Sequence, residues 1–226
     1  MDIKENLNRI KATLPAGVKL VAVSKTHPVQ MLQEAYDAGQ RIFGENKVQE
    51  MTAKSQVLPT DIEWHFIGHV QTNKIKMMAP YVSVIQGVDN YDKLAEIDRQ
   101  AARFNRHITC LLQLHIAQEE TKFGFSADEC TAMLDEGKWK ELKNITISGV
   151  MGMASNTDND AQVLGEFRRL KQLFDTYKDK YFNDSPDFNT ISAGMSGDYQ
   201  LAISEGSNMV RIGSSIFGER NYNINK

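Results

Sequence analysis

Short apolar runs alternate with longer amphipathic stretches along nearly the whole chain, and this alternation limits the fold more than any motif does. Apolar runs at residues 19–24, 41–44, 63–68, 81–85, 107–114, 145–151, 188–192 and 209–213 read as strands. Between most of them lie helical patterns. Met31, Leu32, Ala35 and Tyr36 share one side of a helix over 29–38 that Gly39 stops, and a polar helix starts at about Lys47. Tyr91, Leu94, Ala95, Ile97 and Ala101 mark a helix over 90–104 with Asn90 as its cap. Further helices are expected over 126–134, over 160–181 with Val163, Phe167, Leu170 and Phe174 as its apolar positions, and over 198–204. A helix over 3–13 precedes the first strand. Repeated βα units predict a parallel sheet with helices outside it. About eight units in 226 residues predict one domain, 1–226, folded as a (β/α)8 TIM barrel with an extra N-terminal helix. An open doubly wound sheet satisfies the same pattern.

Charge and composition exclude several classes. Lys and Arg number 26 against 29 Asp and Glu, a net charge of -3 without the basic stripe of a nucleic-acid binder. No apolar run approaches the roughly 20 residues of a membrane span. The charged start Met1-Asp-Ile-Lys-Glu-Asn6 lacks the apolar stretch of a signal peptide. Two cysteines, Cys110 and Cys130, make no disulfide framework, and Cys110 reads as a buried small hydrophobe. The expectation is a cytoplasmic protein.

In a barrel, reactive groups lie where strands run into the loops that follow them. Strand one runs into Ser24-Lys25-Thr26-His27 and strand two into Glu45-Asn46. Lys25 directly follows a buried run. Desolvation there favours the neutral amine, which forms Schiff bases with aldehydes; a lysine with its charge in water fits the same position. Gly194-Met-Ser-Gly-Asp198 after strand seven and Gly213-Ser-Ser215 after strand eight bring glycines, hydroxyls and backbone N–H groups to adjacent strand ends. Such loops suit a phosphate, although ordinary turns share their composition. Arg211 stands two residues before Gly213, so both face the same side of the strand. It is either half of a structural salt bridge or a fixed cation facing a ring nitrogen or carboxylate of a ligand. An amine, a phosphate cup and an arginine together suit pyridoxal 5′-phosphate.

Other signals carry less. His65 and His69 straddle a strand end and lack the glutamate of a zinc helix. Residues 194–198 lack the final glycine of a nucleophile elbow. No Walker loop or dinucleotide fingerprint is present, and Glu119-Glu120 reads as a solvated loop. No metal ligand is assigned.

The chain resembles the pyridoxal-phosphate homeostasis protein family, whose barrel is like the N-terminal domain of alanine racemase. The matching segments are Val21-Ala-Val-Ser-Lys-Thr26, Phe43-Gly-Glu-Asn46 with Gln49-Glu50, Trp64-His-Phe-Ile-Gly68 with Gln71-Thr-Asn-Lys74, Glu120-Thr-Lys-Phe-Gly124, Gly149-Val-Met-Gly-Met153, Gly194-Met-Ser196 with Asp198, and Val210-Arg-Ile-Gly213 with Ile216-Phe-Gly218. The resemblance implies a fold-type-III pyridoxal-phosphate barrel with Lys25 as the Schiff-base lysine. Ser196, Gly213 and Ser214 would hold the phosphate, Arg211 would face the pyridine nitrogen, and Asn46 would line the cofactor. Three departures are expected near the pocket mouth: His69-Val70 for Pro-Leu, Leu114-His115 for Val-Asn, and Ala193 for Met. They bear on substrate access.

The resemblance to alanine racemase implies a second acid–base residue from a separate domain. A chain that reaches Lys226 soon after strand eight is expected to lack that domain. No catalytic residue is therefore assigned. The expected function is binding pyridoxal 5′-phosphate on Lys25 for intracellular vitamin B6 homeostasis, with indirect effects on amino-acid and keto-acid balance. Pyridoxal-phosphate-dependent apo-enzymes are the expected partners of a monomer. A weak amino-acid racemase, a class I aldolase and a cofactor-free interaction module are the competing readings.

Overall fold

In the computed structural model, which describes residues 2–119 and 123–219, β1 (Lys19–Val23) pairs in parallel with β2 (Ile42–Glu45). The order continues through β3 (Glu63–Phe66), β4 (Val84–Val88), β5 (Ile108–Leu114), β6 (Ile145–Gly152), β7 (Thr190–Ser192) and β8 (Met209–Ile212). β8 pairs in parallel with β1, with Lys19 opposite Met209 and Ala22 opposite Ile212. This pairing closes the barrel and excludes the open sheet.

The helices outside are α1 (Ile3–Thr13), α2 (Val29–Asp37), α3 (Val48–Ser55), α4 (Ile75–Met78), α5 (Tyr91–Arg103), α6 (Ala127–Glu136), α7 (Asp160–Tyr181), α8 (Tyr199–Ser204) and α9 (Ser214–Phe217). Caps set several of their starts. The Asn90 side chain accepts from the Lys93 amide, and Ser126 and Glu129 form a reciprocal capping box. α1 lies beside α9, where the Asn6 side-chain amide donates to the Ile216 carbonyl at 3.1 Å. None of the helices among the described residues is long and apolar enough to cross a membrane.

One expectation needs correction, and two short helices were not expected. The fourth strand is Val84–Val88, three residues beyond the predicted 81–85. Tyr81 and Val82 close the turn after α4 through amide bonds to the Met78 carbonyl, and the strand continues through Gln86 and Gly87, whose types hide it. α4 and α9 have only four residues each, too few to show a helical period.

Alternation along β1 divides the core. Leu20 and Ala22 face the helices with Phe43, Trp64, Phe66 and Ile85. Val21 faces the barrel axis with Val84, Leu111, Met151 and Met209. The axis also holds buried polar side chains, His65, Gln86, Gln113, Ser192 and Arg211. Cys110 is fully buried, and burial pushes its thiol pKa up.

Strand β6 changes phase at a bulge. Ile147 pairs with Cys110 but Gly149 with Leu111, so Ser148 is the extra residue. Before the bulge Thr146 and Ser148 border a cavity at the barrel floor; after it Met151 and Met153 turn inward. Gly149 has φ +150°, and a Cβ there would stand 1.8 Å from the Thr190 carbonyl oxygen. Gly149→Ala is therefore expected to break the β6–β7 pairing and cost more than about 3 kcal/mol. Chemical denaturation of the variant measures the loss, and wild-type stability would refute this account of the glycine.

Candidate functional site

Lys19, Val21, Val23 and Lys25 alternate along one line, and the last two wall a cavity of about 240 Å³ at the C-terminal mouth of the barrel. Ile67, Met153, Met195, Ser196, Gly197, Arg211, Gly213 and Ser214 complete its lining. Five of the six predicted site residues, Lys25, Ser196, Arg211, Gly213 and Ser214, thus meet in one cavity. Asn46 follows β2 and stays outside that lining; its Oδ1 is buried without a hydrogen-bond partner. A larger cleft of about 630 Å³ lies beyond the barrel wall between Trp139 and Asp187. It brings together none of the predicted site residues.

Lys25 is half-buried, and the chain on either side of it is tied down. The Ser24 hydroxyl donates to Glu45 Oε1 at 2.6 Å, and the Ser24 carbonyl accepts from Lys54 Nζ at 2.8 Å. The Thr26 amide donates to Glu50 Oε1 at 2.6 Å. Thr26 has φ +68°, a left-handed backbone that a β-branched residue adopts only when its surroundings hold it. Lys54 also bonds Glu45 and Glu50, each at 2.7 Å. Burial raises the Glu45 pKa, and the Lys54 ammonium opposes that shift. Two lysines therefore lie near the mouth, but Lys54 has its three donors engaged and only Lys25 walls the cavity.

Sequence reasoning gave Glu45, Glu50 and Lys54 no role. The i,i+4 spacing of Glu50 and Lys54 on α3 was the available signal, and it is common on solvated helices.

The other side of the cavity is rich in donors. The Gly213 amide donates to Ser196 Oγ at 3.3 Å. The amides of Ser196, Gly197 and Ser214 have no protein acceptor among the described residues. A Cβ on Gly213 would lie 2.9 Å from the Val23 carbonyl oxygen, so β8 meets β1 here through a glycine.

Arg211 is 4% exposed. It donates from Nη1 to Ser192 Oγ at 2.7 Å and from Nη2 to the Gly152 carbonyl at 3.0 Å. Its partners are neutral, so the salt-bridge alternative does not describe it. Burial pulls its pKa down to about 10, with Asp198 partly opposing, and it stays cationic at neutral pH. A buried cation with neutral partners leaves its charge available to a ligand.

The three sequence departures lie outside the cavity lining. The His69 ring stacks on Phe123 at 3.9 Å, Val70 and Ala193 are buried, and the His115 amide donates to the Phe125 carbonyl. His65 uses both ring nitrogens on protein partners, Glu63 and Gln86. Of the matching segments, Glu120, Thr121 and Lys122 fall outside the described residues.

The family model described as alanine racemase, N-terminal domain, matches residues 1–221. The pyridoxal phosphate homeostasis protein of Haemophilus influenzae is 37% identical over 240 residues, covering 100% of this chain and 99% of the relative. Its Schizosaccharomyces pombe counterpart is also 37% identical, covering 90% of this chain and 85% of the relative. Among solved structures, PipY of Synechococcus elongatus without pyridoxal phosphate superposes with a TM-score of 0.89 at 32% identity, covering 96% of this chain and 100% of that one. Its form with pyridoxal phosphate bound gives 0.86. Alanine racemase of Clostridium difficile shares the fold, with a TM-score of 0.76 at 14% identity, and this chain covers 56% of it.

Lys54→Met would leave Glu45 buried without its cation. The expected cost is about 3–5 kcal/mol, read by chemical denaturation, with faster hydrogen exchange at the Thr26 amide. Unchanged stability and unchanged exchange would show that Lys54 does not hold the Lys25 segment.

Proposed function

This chain belongs to the alanine racemase, N-terminal domain family, and from that premise we propose that it binds pyridoxal 5′-phosphate in the mouth cavity and takes part in cellular homeostasis of that cofactor. The observation that carries the reading is one cavity walled by Lys25, the buried Arg211 and the donor loops at Ser196 and Gly213. Full-length relatives bear the name pyridoxal phosphate homeostasis protein, and PipY at 32% identity has been solved with pyridoxal phosphate bound.

The residues fit the group. Ser196, Gly213 and the backbone amides of Ser196, Gly197 and Ser214 suit the phosphate. Arg211 is the donor for the pyridine nitrogen. As a permanent cation it leaves that nitrogen unprotonated, which limits the ring as an electron sink. Asn46, with its buried and unpartnered Oδ1, is the neighbouring polar group on the β2 side.

When bound, the cofactor supplies an aldehyde that condenses reversibly with an amine. Lys25, half-buried on the cavity wall, would be that amine. The clamp on Ser24 and Thr26 holds Lys25 at the mouth, and reversibility allows release. A cytoplasmic monomer that passes the cofactor to pyridoxal-phosphate-dependent apo-enzymes completes the proposal.

Adding pyridoxal 5′-phosphate to the purified protein should produce a visible band and raise the melting temperature. Borohydride reduction followed by peptide mapping should place the adduct on Lys25, and Lys25→Ala should abolish it. An adduct on Lys74 or Lys122, or no reducible adduct, would overturn the assignment. Turnover of single amino-acid enantiomers that is lost in Lys25→Ala would favour the racemase instead.

A further inference from the structure

A single line of hydrogen bonds runs down the inside of the barrel from Arg211 to the floor. Arg211 Nη1 donates to Ser192 Oγ at 2.7 Å, and the Ser192 hydroxyl donates to Gln86 Oε1 at 2.6 Å. Gln86 Nε2 and His65 Nδ1 are 2.9 Å apart, as are His65 Nε2 and Glu63 Oε1. The members come from β8, β7, β4 and β3. Ser192, Gln86 and His65 are fully buried, while Glu63 opens onto a floor cavity of about 300 Å³ that Lys19 and Asp187 also border.

The two ends determine the direction of every link. A guanidinium only donates and a carboxylate only accepts. Glu63 therefore takes the Nε2 proton of His65, which leaves Nδ1 to accept from Gln86. Burial disfavours the imidazolium, in keeping with one ring proton. Turning the Gln86 amide over would require a second proton on His65. The remaining Gln86 N–H points at Met209 Sδ at 3.4 Å. None of the five side chains has an unsatisfied buried polar atom. Each link thus donates toward Glu63, from a cation at the mouth to an anion at the floor. Aligned bonds of this kind polarise one another.

A packed apolar interior would fill the barrel without any desolvation cost. The polar line instead ends on Arg211, a buried cation that lines the cavity. We infer that Ser192, Gln86, His65 and Glu63 are positioning residues for Arg211, which orient its guanidinium and set its donor strength toward the ring nitrogen of the bound cofactor. The inference rests on the proposed pyridoxal-phosphate site, and its test separates the two.

Pyridoxal 5′-phosphate is titrated into the wild-type protein, Ser192→Ala, Glu63→Gln and Arg211→Lys, and into Glu63→Gln combined with Arg211→Lys. Affinity, the visible band maximum, the borohydride-trapped lysine and the melting temperature without cofactor are recorded. Trapping at Lys25 should persist in every variant. Its absence from the wild type would sink the site itself, not the positioning chain. Ser192→Ala and Glu63→Gln should each weaken binding by roughly 3- to 10-fold and move the band maximum. Glu63→Gln, at the half-exposed floor, should do so with a near-wild-type melting temperature. In the Arg211→Lys background Glu63→Gln should add nothing. Unchanged affinity and band in both single variants would overturn the inference, as would a Glu63→Gln effect that persists undiminished in that background. A loss of melting temperature with an unmoved band would assign the residues to structure alone.

Discussion

The pairing of β1 with β8 is the contact on which the site depends. Lys19 to Ala22 lie beside Met209 to Ile212, and this join brings the first strand's exit beside the last strand's exit. Lys25 and Arg211 are 186 positions apart in the chain and share one cavity only because the sheet closes there. Gly213 keeps the seam narrow just above, where a side chain would press on the Val23 carbonyl. An open sheet with the same strands would separate Lys25 from the Ser196 and Gly213 loops by the full width of the fold.

Closure also creates an interior that has to be filled. Val21, Val84, Leu111, Met151 and Met209 fill part of it. The rest is polar, at a desolvation cost that only complete pairing offsets. Arg211 is satisfied by Ser192 and a carbonyl, and Gln86 and His65 are satisfied in turn. The same logic governs Lys54, Glu45 and Glu50 at the rim, where a buried ammonium and two carboxylates hold the backbone on both sides of Lys25. Both networks brace side chains that wall the mouth cavity. The resemblance to alanine racemase concerns this barrel, and a shared barrel does not carry an activity with it.

Much of this was legible before any coordinates. The short apolar runs and the helical stripes located seven strands within a few residues, because strands of a parallel barrel are buried on both faces and read as continuous apolar runs. Strand β4 was misplaced because Gln86 and Gly87 interrupt its apolar run, although both are buried inside the barrel. The loops at Lys25, Ser196 and Gly213 were found because barrel chemistry gathers at strand exits. Glu50 and Lys54 were passed over because a charged residue on a short helix ordinarily faces water, and Glu45 because nothing in the sequence shows that its carboxylate at the end of β2 meets Lys54.

Residue order alone determined the number of βα units, the position of the amine after the first strand, and the glycine and serine loops after the last two. Those are local properties, written in short apolar runs, in the 3.6-residue helical period and in the conformational freedom of individual residues. Tertiary structure decided that the sheet closes, that Arg211 has neutral partners, that His65 and Gln86 belong to one line of bonds, and that Lys54 guards the Lys25 segment. Each of these joins residues from different strands or helices. Such contacts leave no periodic trace in the chain, because the geometry of closure, not proximity in sequence, brings the groups together.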